Sequence, residues 1–128
     1  RADGGFEDEL KRTKPYSYSI FVLDNAVSLV QIAGLLGEDL WSYETEDGRS
    51  IKLGLDFLLP YIEDKSSWFL PDDVEHFDSW PARASFMVFA GLYYQDERYL
   101  KLYRSLPPES FDEEIRRNLA IRQPILLL

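Results

Sequence analysis

The sequence predicts an all-α domain built from antiparallel helix hairpins, and three observations support that fold class. Apolar residues recur every three or four positions in several segments, which is the spacing of one face of a helix. No segment shows the sustained alternation of apolar and polar residues that is typical of strands joined by hairpin turns. The connections between the helical segments are short, which favours antiparallel neighbours. Of the 128 residues, 45% are hydrophobic, so we expect residues 1–128 to form a single domain with a buried core.

The first predicted helix runs from Tyr18 to Leu36 and is expected to be the central one. Ser19 is its predicted N-cap, and Gly37 stands just past its end. The apolar stripe of this helix covers much of its circumference, so we expect it to pack on several sides. The apolar residues are Ile20, Phe21, Leu23, Ala26, Val27, Leu29, Val30, Ile32, Ala33, Leu35 and Leu36.

Further helices are predicted downstream from their caps and apolar faces. The second begins after Ser50, a candidate N-cap, and Pro60 is expected to kink or stop it. The third begins near Pro81, because the first turn of a helix accepts proline. Shorter helices are expected to begin near Asp96 and Ser110. The apolar faces are Ile51, Leu55, Leu58, Leu59 and Ile62 in the second helix and Ala84, Met87, Val88, Gly91 and Leu92 in the third.

The charge balance and composition exclude several classes of function. The chain has 14 Lys and Arg against 23 Asp and Glu, a formal net charge of −9, so we expect neither nonspecific nucleic-acid binding nor binding to an anionic membrane. It has no cysteine, which excludes disulfide scaffolds, thiolate zinc sites and cysteine nucleophiles. No signal peptide is visible in this chain, and its longest apolar run, Ile20 to Leu23, is far shorter than a membrane helix needs.

A cluster of cations and phenols stands immediately before the first predicted helix. It contains Lys11, Arg12, Lys14, Tyr16 and Tyr18. Arginine suits bidentate binding of a carboxylate, and a tyrosine at a helix start can exchange a proton with a ligand. On residue types alone the alternative is favoured, a solvated basic loop whose tyrosines pack on the core.

Two other groups of residues are candidates for chemistry. His76 lies among acidic residues, but a helical zinc site usually offers a second histidine and a calcium loop alternates oxygen ligands around a glycine. We therefore predict no metal site. Trp41 and Trp68 are candidates for stacking on sugar rings, although most rings in a small helical domain belong to the core. The sequence has no glycine-rich phosphate loop, serine nucleophile elbow or paired histidine motif.

Several motifs stand in a characteristic order along nearly the whole chain. They are Asp3-Gly4, Glu9-Leu10-x-Arg12-Thr13, Tyr18-Ser19-x-Phe21-x-Leu23, Asp39-Leu40-Trp41-x-Tyr43-x-Thr45-x-Asp47-Gly48-Arg49-Ser50, Leu59-Pro60-Tyr61 and Ile121-Arg122-Gln123-Pro124. Each motif is weak evidence by itself, but the ordered set is fairly specific. It resembles the later part of the alginate lyase superfamily domain of polysaccharide lyases. That resemblance implies a fold in which antiparallel helix hairpins form an incomplete (α/α) toroid.

The resemblance also implies an activity, the cleavage of an alginate-like, uronate-containing glycan by β-elimination. In that reaction the uronate carboxylate is neutralised, a base removes the C5 proton, and an acid protonates the leaving O4. Tyr18 resembles the family's catalytic acid or acid/base, and Arg12 resembles the arginine that binds or neutralises the carboxylate. Lys11 is a possible substitute for Arg12, and Tyr16 competes with Tyr18. The chemistry requires no cofactor, the expected partner is an acidic polysaccharide, and the resemblance implies a periplasmic or secreted location.

One part of the family's site is not expected in this chain. The family's Asn-His pair lies upstream of the Asp-Gly segment, nothing before Asp3 holds such a pair, and His76 comes too late to replace it. We therefore expect residues 1–128 to be the C-terminal portion of a longer domain and to have little or no lyase activity alone. We also expect an uncovered apolar face on the helix from Tyr18 to Leu36. The alternative is a noncatalytic helical module that keeps the fold and binds a glycan or a protein.

Overall fold

The computed structural model describes residues 1–108, 110–119 and 121–128, and these residues are organised as helices and connecting loops. No strand occurs among them, and Glu44 and Ser50 form an isolated antiparallel bridge. The all-α prediction is confirmed. The α-helices are α1 (Glu7–Leu10), α2 (Pro15–Leu35), α3 (Ile51–Glu63), α4 (Ser85–Tyr93), α5 (Glu97–Ser105) and α6 (Glu113–Asn118), and the short 3₁₀ helices are Lys65–Ser67, Phe77–Ser79 and Pro124–Leu127.

Helix α2 begins three residues earlier than the sequence predicts. Its first residue is Pro15 and its N-cap is Lys14, whose side chain makes no cap hydrogen bond. Instead the Asp73 carboxylate accepts hydrogen bonds from the backbone N–H groups of Tyr16 and Ser17, each at 2.9 Å. The predicted cap, Ser19, lies inside the helix, so that prediction is wrong. Because the cap comes from a distant part of the chain, the local sequence carries no signal for it.

The end of α2 and the start of α3 agree with their sequence signals. Leu36 is the C-cap of α2, and Gly37 follows it with a φ of +90°. Such a left-handed glycine commonly ends a helix. The Ser50 side chain accepts a hydrogen bond from the Leu53 N–H at 3.2 Å, as expected of an N-cap. Pro60 does not stop α3, which continues to Glu63.

The start of α4 differs from the sequence-based expectation. Pro81 lies in the loop segment before the helix, which begins at Ser85. The Asp24 carboxylate of α2 accepts hydrogen bonds from the Ser85 hydroxyl at 2.7 Å and from the Phe86 N–H at 3.0 Å. The N-cap residue, Ala84, has a methyl side chain and cannot accept a hydrogen bond. Asp24 therefore takes the place of a local cap by accepting the hydrogen bond from the Phe86 N–H.

The two shorter helices begin close to the predicted positions. Asp96 caps α5 by accepting a hydrogen bond from the Arg98 N–H. Asp112 caps α6 by accepting one from the Glu114 N–H, two residues beyond the predicted start at Ser110. Helix α2 packs against α1, α3 and α4, and α4 packs against α5. The core that they enclose includes Ile20, Leu23, Val27, Leu55, Leu58, Trp80, Phe86, Met87, Phe89, Tyr99 and Ile115.

By its length and composition alone, the 21-residue helix α2 meets the criteria for a membrane-crossing helix. No unbroken apolar run marks this segment in the sequence, because Asp24, Asn25 and Ser28 interrupt it. The core helix of a globular domain meets the same criteria. Here the buried side of α2 includes Asp24 and Ser28, and Asp24 binds the first turn of α4. The polar contacts of α2 are therefore those of a helix packed inside a domain.

One side of α2 is nevertheless uncovered. The exposed fractions of Leu29, Ile32 and Leu36 are 67%, 43% and 78%. Their spacing places them on one face of a helix, and Phe21 is also exposed. Both expectations for this helix are confirmed, since it packs against three other helices and still exposes an apolar face. We call the residues Phe21, Leu29, Ile32 and Leu36 the open face of α2.

Candidate functional site

Arg12 and Tyr18 lie against each other at the junction between α1 and α2. The guanidinium carbon of Arg12 is 3.9 Å from the centroid of the Tyr18 ring, which is the geometry of a cation–π contact. Four residues connect the two helices, and the carbonyl oxygen of Thr13 accepts a hydrogen bond from the Val74 N–H at 3.1 Å. This connection leaves Arg12 exposed and Tyr18 half-buried, so that both side chains share one surface.

The two cations that follow α1 pair with carboxylates of that helix. The Nζ atom of Lys11 is 2.7 Å from Oε1 of Glu7, and Nη1 of Arg12 is 3.0 Å from Oε2 of Glu9. The hydrogen bond to Glu7 raises the pKa of Lys11 and lowers the pKa of Glu7 itself. Such exposed ion pairs are weak. A carboxylate ligand can therefore compete for these cations.

The surface has groups suited to binding a carboxylate and moving a proton. The contact with Glu9 uses one of the five N–H donors of the Arg12 guanidinium, so donors remain for a second carboxylate. The Tyr18 hydroxyl is chemically able to donate or accept a hydrogen bond. Lys11 also lines an open concave surface of about 330 Å³ beside α1. A carboxylate-binding cation is thus in direct contact with a partly accessible phenol.

Tyr16, the competing tyrosine, belongs to the core. Its exposed fraction is 0%, and its hydroxyl donates a hydrogen bond to the carbonyl oxygen of Tyr61 at 3.0 Å. Its ring packs edge-on against the rings of Trp68 and Phe77, with centroids 5.1 and 5.5 Å away. Burial, with a smaller effect from the charge of Asp73, raises the pKa of Tyr16. In this packing Tyr16 offers no surface to a substrate, unlike Tyr18.

The two tryptophans predicted to stack on sugars are also packed against the protein. Trp41 is 4% exposed and stacks on Tyr93, with centroids 5.0 Å apart and ring planes at 14°. Trp68 is 9% exposed and lies 5.2 Å from the Tyr61 ring and 5.0 Å from the Phe69 ring. Both tryptophans therefore lie in the core, which was the alternative to a role in stacking on sugars. The most exposed rings in these two clusters are Tyr93 and Phe69.

His76 pairs with a carboxylate of the neighbouring helix. Its Nδ1 atom is 3.0 Å from Oδ2 of Asp112, the residue that caps α6. A hydrogen bond from Ser79, and to a smaller extent the one from His76, lowers the pKa of Asp112. Within the part of the chain that the structure describes, no group of three or more histidine, aspartate or glutamate residues could hold a metal ion.

A pocket that the sequence analysis did not identify lies beside α6. Its volume is about 280 Å³, and its described lining includes Arg83, Arg116 and Arg122 but no acidic residue. The positive charge of residues 116–122 is visible in the sequence and was the available signal. Arg83 comes from the segment that precedes α4, so only the folded chain brings it to the same place.

Comparisons with known proteins give two matches. A family model described as alginate lyase matches residues 1–68, which include α1, α2, α3 and the contact between Arg12 and Tyr18. Among solved structures, an alginate lyase from Bacteroides ovatus matches with a TM-score of 0.73 and 26% sequence identity, over 94% of this chain and 32% of that chain. This chain therefore spans about a third of the length of that structure. No curated protein matches it significantly.

Proposed function

The chain belongs to the alginate lyase family, and on that premise we propose that it carries part of the active site of a polysaccharide lyase. The proposed substrate is an alginate-like, uronate-containing glycan, and the proposed reaction is β-elimination. The observation that carries this proposal is the 3.9 Å contact between the Arg12 guanidinium and the Tyr18 ring. Both residues lie in the segment that the family model matches.

In the proposed reaction each residue of the pair has one task. Arg12 binds the carboxylate of the uronate and neutralises its charge, which makes the C5 proton more acidic. A base removes that proton, the C4–C5 double bond forms, and the C4–O4 bond breaks. Tyr18 donates its phenolic proton to O4 as the bond breaks and is then reprotonated from water. Lys11 is the second cation available to the carboxylate, one residue from Arg12.

We also propose that residues 1–128 are the C-terminal portion of a longer helical domain. The similar solved structure is about three times as long as this chain, which covers 32% of it. The open face of α2 is apolar and exposed, and upstream helices of the same domain would bury it. Those helices would also supply the base, which the pair of Arg12 and Tyr18 does not provide. The chain alone is therefore expected to have little or no lyase activity.

The location and partner follow from the same proposal. Alginate-like polymers are large and acidic, so an enzyme that cleaves them is expected in the periplasm or outside the cell. The proposed steps use protein groups alone. The partner is the polysaccharide itself, which the exposed cations of the α1–α2 junction attract despite the net charge of −9 on the whole chain.

The first experiment measures the ultraviolet absorbance of the unsaturated uronide product. Alginate and a small set of other uronate polymers are given to the chain and to a form extended upstream. We expect the absorbance to rise only with the extended form. Tyr18→Phe in that form should lower the rate by about 100- to 10,000-fold, the contribution typical of general acid catalysis, and should leave substrate binding intact.

Tyr43→Phe is the matched control, because Tyr43 is also accessible to solvent and lies outside the α1–α2 junction. It should keep the activity of the unaltered protein. Arg12→Gln should weaken binding and turnover together, and Arg12→Lys should restore part of both. If neither form produced the product from any polymer, the noncatalytic binding module would be the better interpretation. Equal activity of Tyr18→Phe and Tyr43→Phe in an active extended form would overturn the role of Tyr18 as the acid.

A further inference from the structure

The arginine-lined pocket beside α6 is a second region with the composition of a binding site. Its described boundary includes residues 82 and 83 before α4, residues 107, 108, 110 and 111 between α5 and α6, and α6 with residues 119, 122 and 123. Its volume of about 280 Å³ is close to the lower end of the range for ligand pockets, roughly 300–1,000 Å³. It is therefore large enough for a ligand of about one sugar ring.

Two of the three arginines are held in place by backbone carbonyl groups. Arg83 donates from Nε to the carbonyl oxygen of Leu106 at 2.8 Å and from Nη2 to that of Arg104 at 3.0 Å. Its guanidinium carbon also lies 5.2 Å from the centroid of the Tyr103 ring. Arg122 donates from Nη2 to the carbonyl oxygen of Arg116 at 2.8 Å. Neutral carbonyl acceptors orient these guanidinium groups without cancelling their charge.

The described lining of the pocket is positively charged, in a chain whose net charge is −9. Its described lining has three arginines and neither aspartate nor glutamate. By contrast, Arg117, the neighbour of Arg116 on α6, pairs with Glu114 and does not line the pocket. An anion is the ligand that would balance the three charges, and a carboxylate matches the planar guanidinium fork.

The rest of the lining favours a carboxylate that is attached to a ring. Tyr103 and Phe111 provide aromatic faces, Pro107 and Pro108 provide aliphatic rings, and Gln123 provides an amide. Phe111 is 92% exposed, so its ring is accessible to a ligand. A uronate sugar has a carboxylate, hydroxyl groups and an apolar ring face that stacks on aromatic side chains.

We propose that this pocket binds a single uronate unit of an acidic oligosaccharide, at a site separate from the Arg12 and Tyr18 pair. The choice of a uronate among ring carboxylates rests on the proposed function, whereas the choice of a carboxylate rests on the pocket alone. The site would hold a portion of the polysaccharide away from the point of cleavage. It adds affinity for the polymer without taking part in the elimination.

The test is a titration of the ¹⁵N-labelled chain with glucuronate, followed by nuclear magnetic resonance. We expect the side-chain Nε–H signals of Arg83 and Arg122 and the backbone amide signals of α6 to shift in a saturable way. Arg116→Gln should weaken the binding by about tenfold or more, because it removes a charged donor to the carboxylate. Arg117→Gln is the matched control, since it removes the same charge from the same helix outside the pocket, and it should bind glucuronate as the unaltered chain does.

Three further measurements decide the proposal. Glucose should cause no shift at these arginines, and acetate and inorganic phosphate should bind more weakly than glucuronate. Equal binding of acetate, phosphate and glucuronate would show a simple anion site and overturn the assignment to a sugar. Absence of shifts at Arg83 and Arg122, or equal affinity of the Arg116→Gln and Arg117→Gln variants for glucuronate, would overturn the proposal that this pocket binds a carboxylate. The two proposals fail separately, because glucuronate binding is measured on the chain itself, whereas the elimination assay tests the pair of Arg12 and Tyr18 in the extended form.

Discussion

The three cations before α2, Lys11, Arg12 and Lys14, differ in their exposure to solvent and therefore in whether they can bind a ligand. Lys14 is buried, and its Nζ atom lies 3.2 Å from Glu75 and 3.3 Å from Glu114. Burial lowers the pKa of Lys14, but the hydrogen bonds to these two carboxylates outweigh it, so that the pKa is raised overall. Lys14 thus connects the start of α2 to α6. Lys11 and Arg12 remain exposed and are the cations available to a ligand.

The partner of Lys14 makes the stability of the domain depend on pH. Burial raises the pKa of Glu114. The hydrogen bond from Lys14 and its positive charge have the opposite effect and outweigh burial, so that the pKa lies below its ordinary value of 4.5. The stability that such a carboxylate contributes is complete above its unfolded pKa and is lost as the pH falls through its folded pKa. We expect the free energy of unfolding, measured with urea, to decrease below about pH 4.5, and to decrease less in Glu114→Gln.

The control for this prediction is the adjacent glutamate on the same helix. Glu113 is exposed, so Glu113→Gln should keep the pH dependence of the unaltered chain. Equal losses of stability below about pH 4.5 in the unaltered chain and in Glu114→Gln would show that the ion pair with Lys14 contributes nothing to the acid sensitivity.

At the scale of helices, carboxylates from distant parts of the chain determine where two elements begin. Asp73 binds the first N–H groups of α2, and Asp24 binds the first turn of α4. The backbone at Gly4 also lies very close to α3. A Cβ atom at this position, whose φ is +92°, would be 2.2 Å from the carbonyl oxygen of Leu53, so only glycine fits there. The contacts of Asp73 and Gly4 lie on either side of the α1–α2 junction and therefore help to position the candidate site.

Removal of the cap of α2 gives a prediction at this scale. Asp73 is buried, so Asp73→Ala removes two hydrogen bonds and leaves their N–H donors without this partner. We expect it to lower the free energy of unfolding by about 1–3 kcal/mol, as measured by urea denaturation. Asp72→Ala is the control, since Asp72 is exposed, and should change stability by less than about 0.5 kcal/mol. A similar small effect in both variants would show that the cap is dispensable.

For the whole molecule, the open face of α2 is the main apolar surface of the central helix. Leu29 and Leu36 are 67% and 78% exposed, two helical turns apart on the same side. In the proposed longer domain, upstream helices cover this face. A separate chain has no such cover, and exposed apolar patches of this kind promote association.

We therefore predict that the chain by itself associates as its concentration rises. Sedimentation velocity should detect the association, and a double variant, Leu29→Lys with Leu36→Lys, should weaken it by more than about tenfold, since burial of each leucine contributes about 1.5–3 kcal/mol. Val74→Lys is the control because Val74 is equally exposed in a loop. A chain that stayed monomeric at every concentration would contradict both this prediction and the proposal that upstream helices cover α2.

Much of the fold follows from local sequence. The recurrence of apolar residues every three or four positions identifies the helices, and Ser50, Asp96 and Gly37 mark their ends correctly, because caps and left-handed glycines act on the nearest turn. The motifs around Arg12 and Tyr18 carry the resemblance to the alginate lyase family. The contact between these two residues agrees with their proximity in the sequence, since Arg12 lies in the four-residue connection between α1 and α2 and Tyr18 lies at the start of α2.

Tertiary structure alone decided the remaining features. Asp73 and Asp24 cap helices more than 50 residues away from them in sequence, and no local pattern encodes such a partner. The start of α2 at Pro15 also separates the two tyrosines, because residues two positions apart lie on opposite sides of a helix, so that Tyr16 enters the core and Tyr18 remains accessible. The burial of Trp41 and Trp68 and the meeting of Arg83 with Arg116 depend likewise on contacts between distant segments. Periodicity reports which way a residue faces within its own helix, whereas only the packing of helices determines what it meets there.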